Sequence, residues 1–407
     1  MANLAKNGGN KTITRPLGPT WPIWDEREEK ALIETLHSGI WWRGGRKDVS
    51  ESQVGQFEDE FGAFQGAKYC VAVTNGTQAI ECALKALGIG PGDDVLVPAL
   101  TFVASATAIA LVGATPVFVD VDPGTYNIDA GAMEAAITPA TKAAVVVHNG
   151  GYPVDMDRVM DLAERRGLKI VEDCAHAHGT QWRGKGAGSI GHFGTFSFQM
   201  GKTLTCGEGG AVLTNDEDLA QRAFAHQHIG PIPGRPFPET RRLGSNLRMT
   251  EWQGAILRTQ FQRLTELTEN RERNATYLAA GLKDIPGLDP IDRDPRVTRW
   301  GFYFWNFHYR QEEFDGVPRS TFIQAAAAEG VPVGAGAHGG CIYKNPVFQN
   351  ADGVMPAYTK VVCPVAERVG DSQALSITHK AFLGTTDAMD MILAAFRKIR
   401  ENTDELK

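Results

Sequence analysis

The segment SFQMGKTLTCGEGG, residues 197–210, holds one lysine, Lys202, and one carboxylate, Glu208. From Phe193 to Val212 these are the only charged side chains. Three uses are open to such a lysine: a phosphate contact, a covalent bond to a substrate or cofactor, or plain solvation. A phosphate loop needs glycine five positions before its Gly-Lys-Thr, because consecutive backbone N–H groups must wrap the phosphates. Phe196 stands there, and Ser197-Phe198-Gln199-Met200 suits a strand better than an anion-cradling turn. Most lysines are solvated, but a solvated face carries more charge than this segment does. An amine in uncharged surroundings is desolvated, which lowers its pKa and makes it nucleophilic.

Amines of that kind form Schiff bases with carbonyl compounds, pyridoxal 5′-phosphate among them. That cofactor makes three further demands. Its pyridine nitrogen needs a carboxylate to stay protonated. Its phosphate needs backbone N–H groups, best supplied by a helix N-terminus. Its ring needs a flat partner. Asp173 closes the expected strand Lys169–Glu172, Thr74-Asn75-Gly76-Thr77 sits where a strand turns into a helix, and Phe102 follows the strand ending at Val97-Pro98. Each has an ordinary structural explanation: a helix-capping aspartate, a turn, a core phenylalanine. Their joint presence with Lys202 favours the cofactor reading.

The elements that must position these residues alternate along the chain. Strands are expected at 70–73, 95–97, 116–119, 143–147 and 169–172. Helices are expected at 78–87, 104–112 and 157–166, and two strands, 195–198 and 211–214, flank a glycine-rich hairpin. Continuous apolar strands between helices imply a mainly parallel sheet covered on both faces, with function at the carboxyl ends of the strands. Asp25 to Leu36 has helical spacing. A helical pattern runs from Thr250 to Leu282. An aromatic run (301–309), a helix (320–329) and a terminal helix (386–399) follow, as in a smaller α+β unit. The expected division is an N-terminal arm (1–24, its first twenty residues flexible), a large domain (25–262) and a small C-terminal domain (263–407).

The 407 residues carry a net charge of −7, which argues against a nucleic-acid footprint. The densest basic stretch, Arg235 to Arg248 with Arg241 and Arg242, is read as a loop near an anionic ligand or a partner chain. No transmembrane segment or signal peptide is expected. Six unpaired cysteines point to a reducing cytoplasm. A zinc site at Cys174, His176 and His178 is set aside, because these residues have a better reading beside the cofactor. His37, His148, His192, His226, His228, His308, His338 and His379 read as structural or substrate-lining. Trp41, Trp42, Arg43 and Tyr343 are candidates for a substrate pocket or for interface packing.

The segments VTNGTQAIECAL (73–84), VPALTFVASATAI (97–109), DMDRVMDLAERRGLKIVEDCAHAHG (155–179), FSFQMGKTLTCGEGGAVLTND (196–216) and GSNLRMTEWQGAIL (244–257) together resemble the DegT–StrS family of sugar and cyclitol aminotransferases. SGIWWRGG (38–45), EDCAHAHG (172–179) and SFQMGK (197–202) look most like its 3-amino-5-hydroxybenzoate synthases and cyclitol aminotransferases. The resemblance implies an α/β chain of the aspartate aminotransferase-like fold (type I). Lys202 would bond covalently to pyridoxal 5′-phosphate and Asp173 would pair with its ring nitrogen. Gly76, Thr77 and Ser197 would bind the phosphate, and Phe102 would stack on the ring. His176, where many members have glutamine, would lie beside the cofactor's hydroxyl. Asn246 would reach the phosphate of a partner subunit, which implies a homodimer with shared active sites. The implied reaction moves an amino group from glutamate or glutamine to a keto-sugar or keto-cyclitol by a ping-pong route. Two other readings stay open: an aromatising dehydration on the same cofactor, and a regulatory protein without turnover, against which the intact pair Lys202 and Asp173 argues.

Overall fold

In the first two-thirds of the chain, the apolar runs between helices are strands of one seven-stranded sheet in a computed structural model of the protein. The structure describes residues 3–45, 51–231, 240, 242–350, 353 and 356–407. The strands are β1 (Tyr69–Val73), β2 (Asp94–Pro98), β3 (Thr115–Val119), β4 (Thr141–Val147), β5 (Lys169–Asp173), a short hairpin β6 (Gln181–Trp182) and β7 (Lys185–Gly186), β8 (Phe193–Ser197) and β9 (Gly210–Thr214). The sheet order is β1-β9-β8-β5-β4-β2-β3. All neighbours pair in parallel except β9, which runs antiparallel to both β1 and β8. Strands β4, β5, β8 and β9 are almost wholly buried, as a sheet with both faces covered requires.

Four helices in the first third matter for the site: α1 (Glu26–Ser38), α2 (Gln53–Gln65), α3 (Gly76–Ala86) and α4 (Ala104–Leu111). Helix α1 starts at a capping box between Asp25 and Glu28 and stops at Gly39, whose left-handed φ of 66° suits glycine. Helix α3 starts at Asn75, whose side chain accepts from the Gln78 amide. Helix α2 has no counterpart in the sequence reading, although Phe57, Phe61 and Phe64 recur at helical steps. Phe57 and Phe61 stack on each other and pack against Phe198 behind β8.

The C-terminal part carries β10 (Leu288–Pro290), β11 (Val297–Arg299), β12 (Phe304–Tyr309), β13 (Val333–Ala335) and β14 (Ala374–Thr378). Strands β10, β12, β14 and β13 form an antiparallel sheet in that order. Strand β11 joins the β6–β7 hairpin instead. The aromatic run becomes a strand only at Phe304, and Gly301 before it packs against the His178 carbonyl, where a Cβ would come within 2.1 Å of it. One continuous apolar core joins this part to the large sheet.

Two expectations need correction. The pattern at 250–282 is two helices, Glu251–Phe261 and Leu264–Leu282. At the break, Arg263 meets Asp25 and Glu28 at the start of α1, and apolar spacing cannot register an ion pair of that kind. Residues 3–20 are also not a free arm. Leu4 and Ile13 are buried, the Ile13 amide bonds the Glu329 carbonyl, and the Glu329 carboxylate accepts from the Ala5 and Thr12 amides. Of the basic stretch, Arg235 and Arg241 lie outside the described residues.

Candidate active site

Alternation along β5 sends Glu172 and Asp173 to opposite sides of the sheet. Glu172 faces inward. Its carboxylate accepts from the amides of Gly188 (2.9 Å), Ile190 (2.9 Å) and Gly191 (2.6 Å), and from His148 Nε2 at 3.0 Å. His148 Nδ1 in turn accepts from the Val154 amide at 3.0 Å, which fixes the proton on Nε2. Cys174 lies beside this pair, close enough for the three to suggest metal ligands. Both imidazole nitrogens and the carboxylate are already committed, so the cluster is a closed hydrogen-bond network.

The Cys174–His176–His178 grouping is not assembled. Nε2 of His178 bonds the Ser197 carbonyl at 2.9 Å and its Nδ1 meets Thr203 Oγ1 at 3.2 Å, while His176 turns toward the opposite side.

That side is a cavity of about 880 Å³ at the carboxyl edge of the sheet. Gly76, Thr77, Phe102, Asp173, His176, Ser197 and Lys202 all line it. Asp173 is 6% exposed; it accepts from Ser105 Oγ at 2.8 Å and from the Ala175 amide at 3.1 Å. Lys202 stands in the loop after β8. Burial pushes its amine down to about 8 from 10.5, against the opposing pull of the Asp173 carboxylate. Its Nζ lies 4.4 Å from the centre of the Tyr303 ring. The loop is pinned from three directions. The Gln199 side chain accepts from the Gly201 amide (2.7 Å), Trp21 Nε1 donates to the Met200 carbonyl (2.9 Å), and His379 Nε2 donates to the Gly201 carbonyl (3.0 Å).

The N-terminus of α3 opens onto the same cavity. The amides of Gly76 and Thr77, in its first turn, have no partner four residues back. A Cβ at Gly76 would lie 2.6 Å from the Ser197 Cβ, so only glycine lets the helix end approach that serine. Free amides at a helix N-terminus, with a serine beside them, are groups that could hold a phosphate. Phe102 is 56% exposed, a high value for phenylalanine, and its ring is free to cover a flat ligand. His176 stacks on Tyr303 (4.9 Å, 19°), and its buried Nδ1 has no partner among the described residues. Burial, followed by the nearby charge of Lys202, holds its pKa well below 6.5.

Asn246 lies outside the cavity, exposed, in an isolated bridge with His228. Trp41, Trp42 and Arg43 do not line it either. Trp41 packs on Trp252, Trp42 on His228, and Arg43 pairs with Glu58. Tyr343 is a core residue: its hydroxyl donates to Glu367 and accepts from the Cys363 amide. Of the scattered histidines, His338 reaches the cavity. Ser105, Trp21 and Tyr303 were not expected at the site. Ser105 is the one with a local signal, one helical turn beyond Thr101 at the end of a strand loop.

A mainly parallel sheet whose carboxyl edge joins a desolvated lysine, a buried aspartate and a helix N-terminus defines an α/β enzyme of the pyridoxal-phosphate-dependent transferase fold. Residues 22–396 match the DegT/DnrJ/EryC1/StrS aminotransferase family, and the chain belongs to it. It is 38% identical to an L-glutamine:2-deoxy-scyllo-inosose aminotransferase of Streptoalloteichus tenebrarius, covering 100% of this chain and 99% of that one. It is 37% identical to a 3-amino-5-hydroxybenzoate synthase of Amycolatopsis mediterranei, over 89% and 90% of the two chains. The crystal structure of a 3-amino-5-hydroxybenzoic acid synthase superposes with a TM-score of 0.84 at 33% identity, over 97% of this chain and 100% of that one.

Proposed function

We propose that the protein is a pyridoxal-phosphate-dependent aminotransferase that moves an amino group from L-glutamine to a keto-cyclitol. The observation that carries this reading is the shared cavity of Lys202, Asp173 and the α3 N-terminus. The choice of donor and acceptor rests on the likeness to glutamine-dependent inosose aminotransferases.

The cavity fits the cofactor. The glycine cradle at Gly76, the free amides of Gly76 and Thr77, and Ser197 would hold its phosphate. Asp173, oriented by Ser105, would hold a proton on its ring nitrogen. Phe102 would cover one face of the ring, and the unpaired Nδ1 of the neutral His176 imidazole leaves a polar atom for the ring hydroxyl. When bound, pyridoxal 5′-phosphate supplies the carbonyl and the electron-withdrawing ring that amino transfer needs.

Lys202 Nζ is the proton carrier. With its pKa brought to about 8 it is partly neutral near physiological pH, the protonation state a general base requires. It takes the proton from the donor's α-carbon and, in the second half-reaction, returns one to the carbon that receives nitrogen. Tyr303 and the pinned loop keep Nζ over the cavity and restrict the access of water. Two half-reactions in one site give ping-pong kinetics.

The active unit on this reading is a homodimer, with Asn246 of the partner subunit completing the phosphate site. Its exposed position outside the protomer's own cavity supports this, as do the exposed rings of Trp24, Trp41 and Trp42. A fully active monomer in solution would overturn it. We place the enzyme in the cytoplasm, a reading supported by six free cysteines. Among the described residues no helix is long and apolar enough to cross a membrane.

The function is tested by adding L-glutamine alone to the holoenzyme and following loss of the visible cofactor band, then adding a keto-cyclitol and following its return. The second reading, an aromatising dehydration, is favoured by the likeness to 3-amino-5-hydroxybenzoate synthases. An aromatic ultraviolet spectrum in the product would select it.

A further inference from the structure

The groups assigned to the cofactor are Gly76, Thr77, Asp173, His176, Ser197 and Lys202, with Ser105 behind Asp173. They come from residues 75–202, at the carboxyl edge of the large sheet. Among the described residues the C-terminal part contributes two side chains, Tyr303 and His338.

His338 sits in the stretch Gly336-Ala337-His338-Gly339-Gly340. Ala337 (φ 49°) and His338 (φ 63°) are both left-handed, two successive non-glycine residues in a conformation that favours glycine. Backbone strain of this sort persists where the surroundings impose it, and it clusters at functional sites. The His338 ring is fixed by neighbours: Phe102 at 5.6 Å, His176 at 5.1 Å and Phe304 at 5.2 Å between centroids. Packing is not the whole explanation, because the residue is exposed and lines the cavity. Protein surrounds the remaining sides. That desolvation, with the charge of Lys202, drives its pKa down to about 3, so the imidazole is neutral.

A neutral imidazole offers one donor and one acceptor. That pattern matches a hydroxyl. A carboxylate is better matched by a cation. Tyr303 stands next in the same aromatic wall, stacked on His176 and under the Lys202 amine, with a second hydroxyl-compatible group.

We propose that His338, with Tyr303 beside it, forms the acceptor subsite and reads the ring hydroxyls of a polyhydroxylated cyclic ketone. This rests on the keto-cyclitol reading above. His338 is a specificity residue: it binds acceptor hydroxyls and leaves the proton transfers to Lys202. A site built to bond a hydroxyl discriminates strongly against an analogue that lacks it, because its own polar group is then left unpaired.

The test separates the half-reactions of the holoenzyme by rapid-mixing absorbance. The variants are the natural protein, His338→Ala and His338→Asn. The probes are L-glutamine, scyllo-inosose and 2-deoxy-scyllo-inosose, the two ketones differing by one hydroxyl. The expected result for His338→Ala is a rise of about 10-fold or more in the KM for the preferred ketone, with the ratio between the two ketones moving toward one. The donor half-reaction changes by no more than about threefold. His338→Asn, which keeps a donor and an acceptor, recovers part of the loss. An unchanged ketone KM and preference overturn the inference, as does an equal fall in both half-reactions. If the natural protein is converted by L-glutamine but accepts neither ketone, the keto-cyclitol reading fails first and takes the subsite with it. That result is visible before any variant is made.

Discussion

Glu172 and Asp173 are neighbours on one strand, and they differ in almost every respect that matters. Glu172 is completely buried, and its oxygens are occupied by three backbone amides and His148. Asp173 has one serine, one amide and an open cavity before it. The same contrast recurs a few residues on. Both nitrogens of His178 are occupied, while the buried Nδ1 of His176 has no partner among the described residues. Side chains on the inward face are satisfied by the protein and stabilise it. Those on the cavity face leave bonding capacity for a ligand. Residue type does not separate the two sets. For Glu172 and Asp173 the separation comes from strand alternation and from where the amides of residues 188–191 fall; His176 and His178 lie beyond the end of the strand, where the turn sends one to the cavity and the other to Ser197 and Thr203.

The largest effect expected on the cavity side is at Lys202. Lys202→Ala should lower turnover with L-glutamine and a keto-cyclitol by about 10⁴-fold, the upper range for loss of a general base. Asp173→Asn keeps the shape and removes the charge. It should lower kcat by about 10³-fold, as loss of a group that stabilises developing charge does. Its unfolding free energy should change by no more than about 1 kcal/mol. Glu172→Ala should do the reverse. It leaves His148 and three amides without a partner, so denaturant unfolding should show a loss of about 3–5 kcal/mol, with activity retained per folded molecule. Equal effects of these last two substitutions on stability would break the comparison.

Lys202 supplies a smaller test with a definite sign. Its pKa is about 8 when folded and 10.5 when unfolded. The unfolded chain therefore binds more protons between those values, and stability rises with pH across that window. Below pH 8 the burial penalty is fully present. In the cofactor-free protein, Lys202→Met should raise stability at pH 7 by on the order of 3 kcal/mol. The gain should fade between pH 8 and 10.5. A gain independent of pH would mean that the amine is not desolvated.

Much of this was legible in the sequence, for a physical reason. The strands are continuous apolar runs, the turns carry glycine and asparagine, and the residues at strand ends meet at one edge of a parallel sheet. Gly76, Thr77, Asp173 and Lys202 are therefore placed by local rules together with topology. Tyr303, His338 and His379 come from the C-terminal part, and no local period says that their loops fold over the loop of Lys202. Trp21 escaped for the same reason, lying at the end of the N-terminal arm, far in sequence from the loop it reaches. Tyr343 misled in the other direction, because a flat ring suits one face of a sugar or cyclitol until its hydroxyl is seen bonded to Glu367 and Cys363. The break at residues 262–263 was hidden because apolar spacing continues through it.

The central claim is that Lys202 carries the bond to the cofactor. It is tested most directly by saturating the purified protein with pyridoxal 5′-phosphate, reducing it with borohydride and mapping the modified peptide by mass spectrometry. The account predicts a visible absorbance band that is lost on reduction, and a single adduct on Lys202. No band, or an adduct on another lysine, would contradict it.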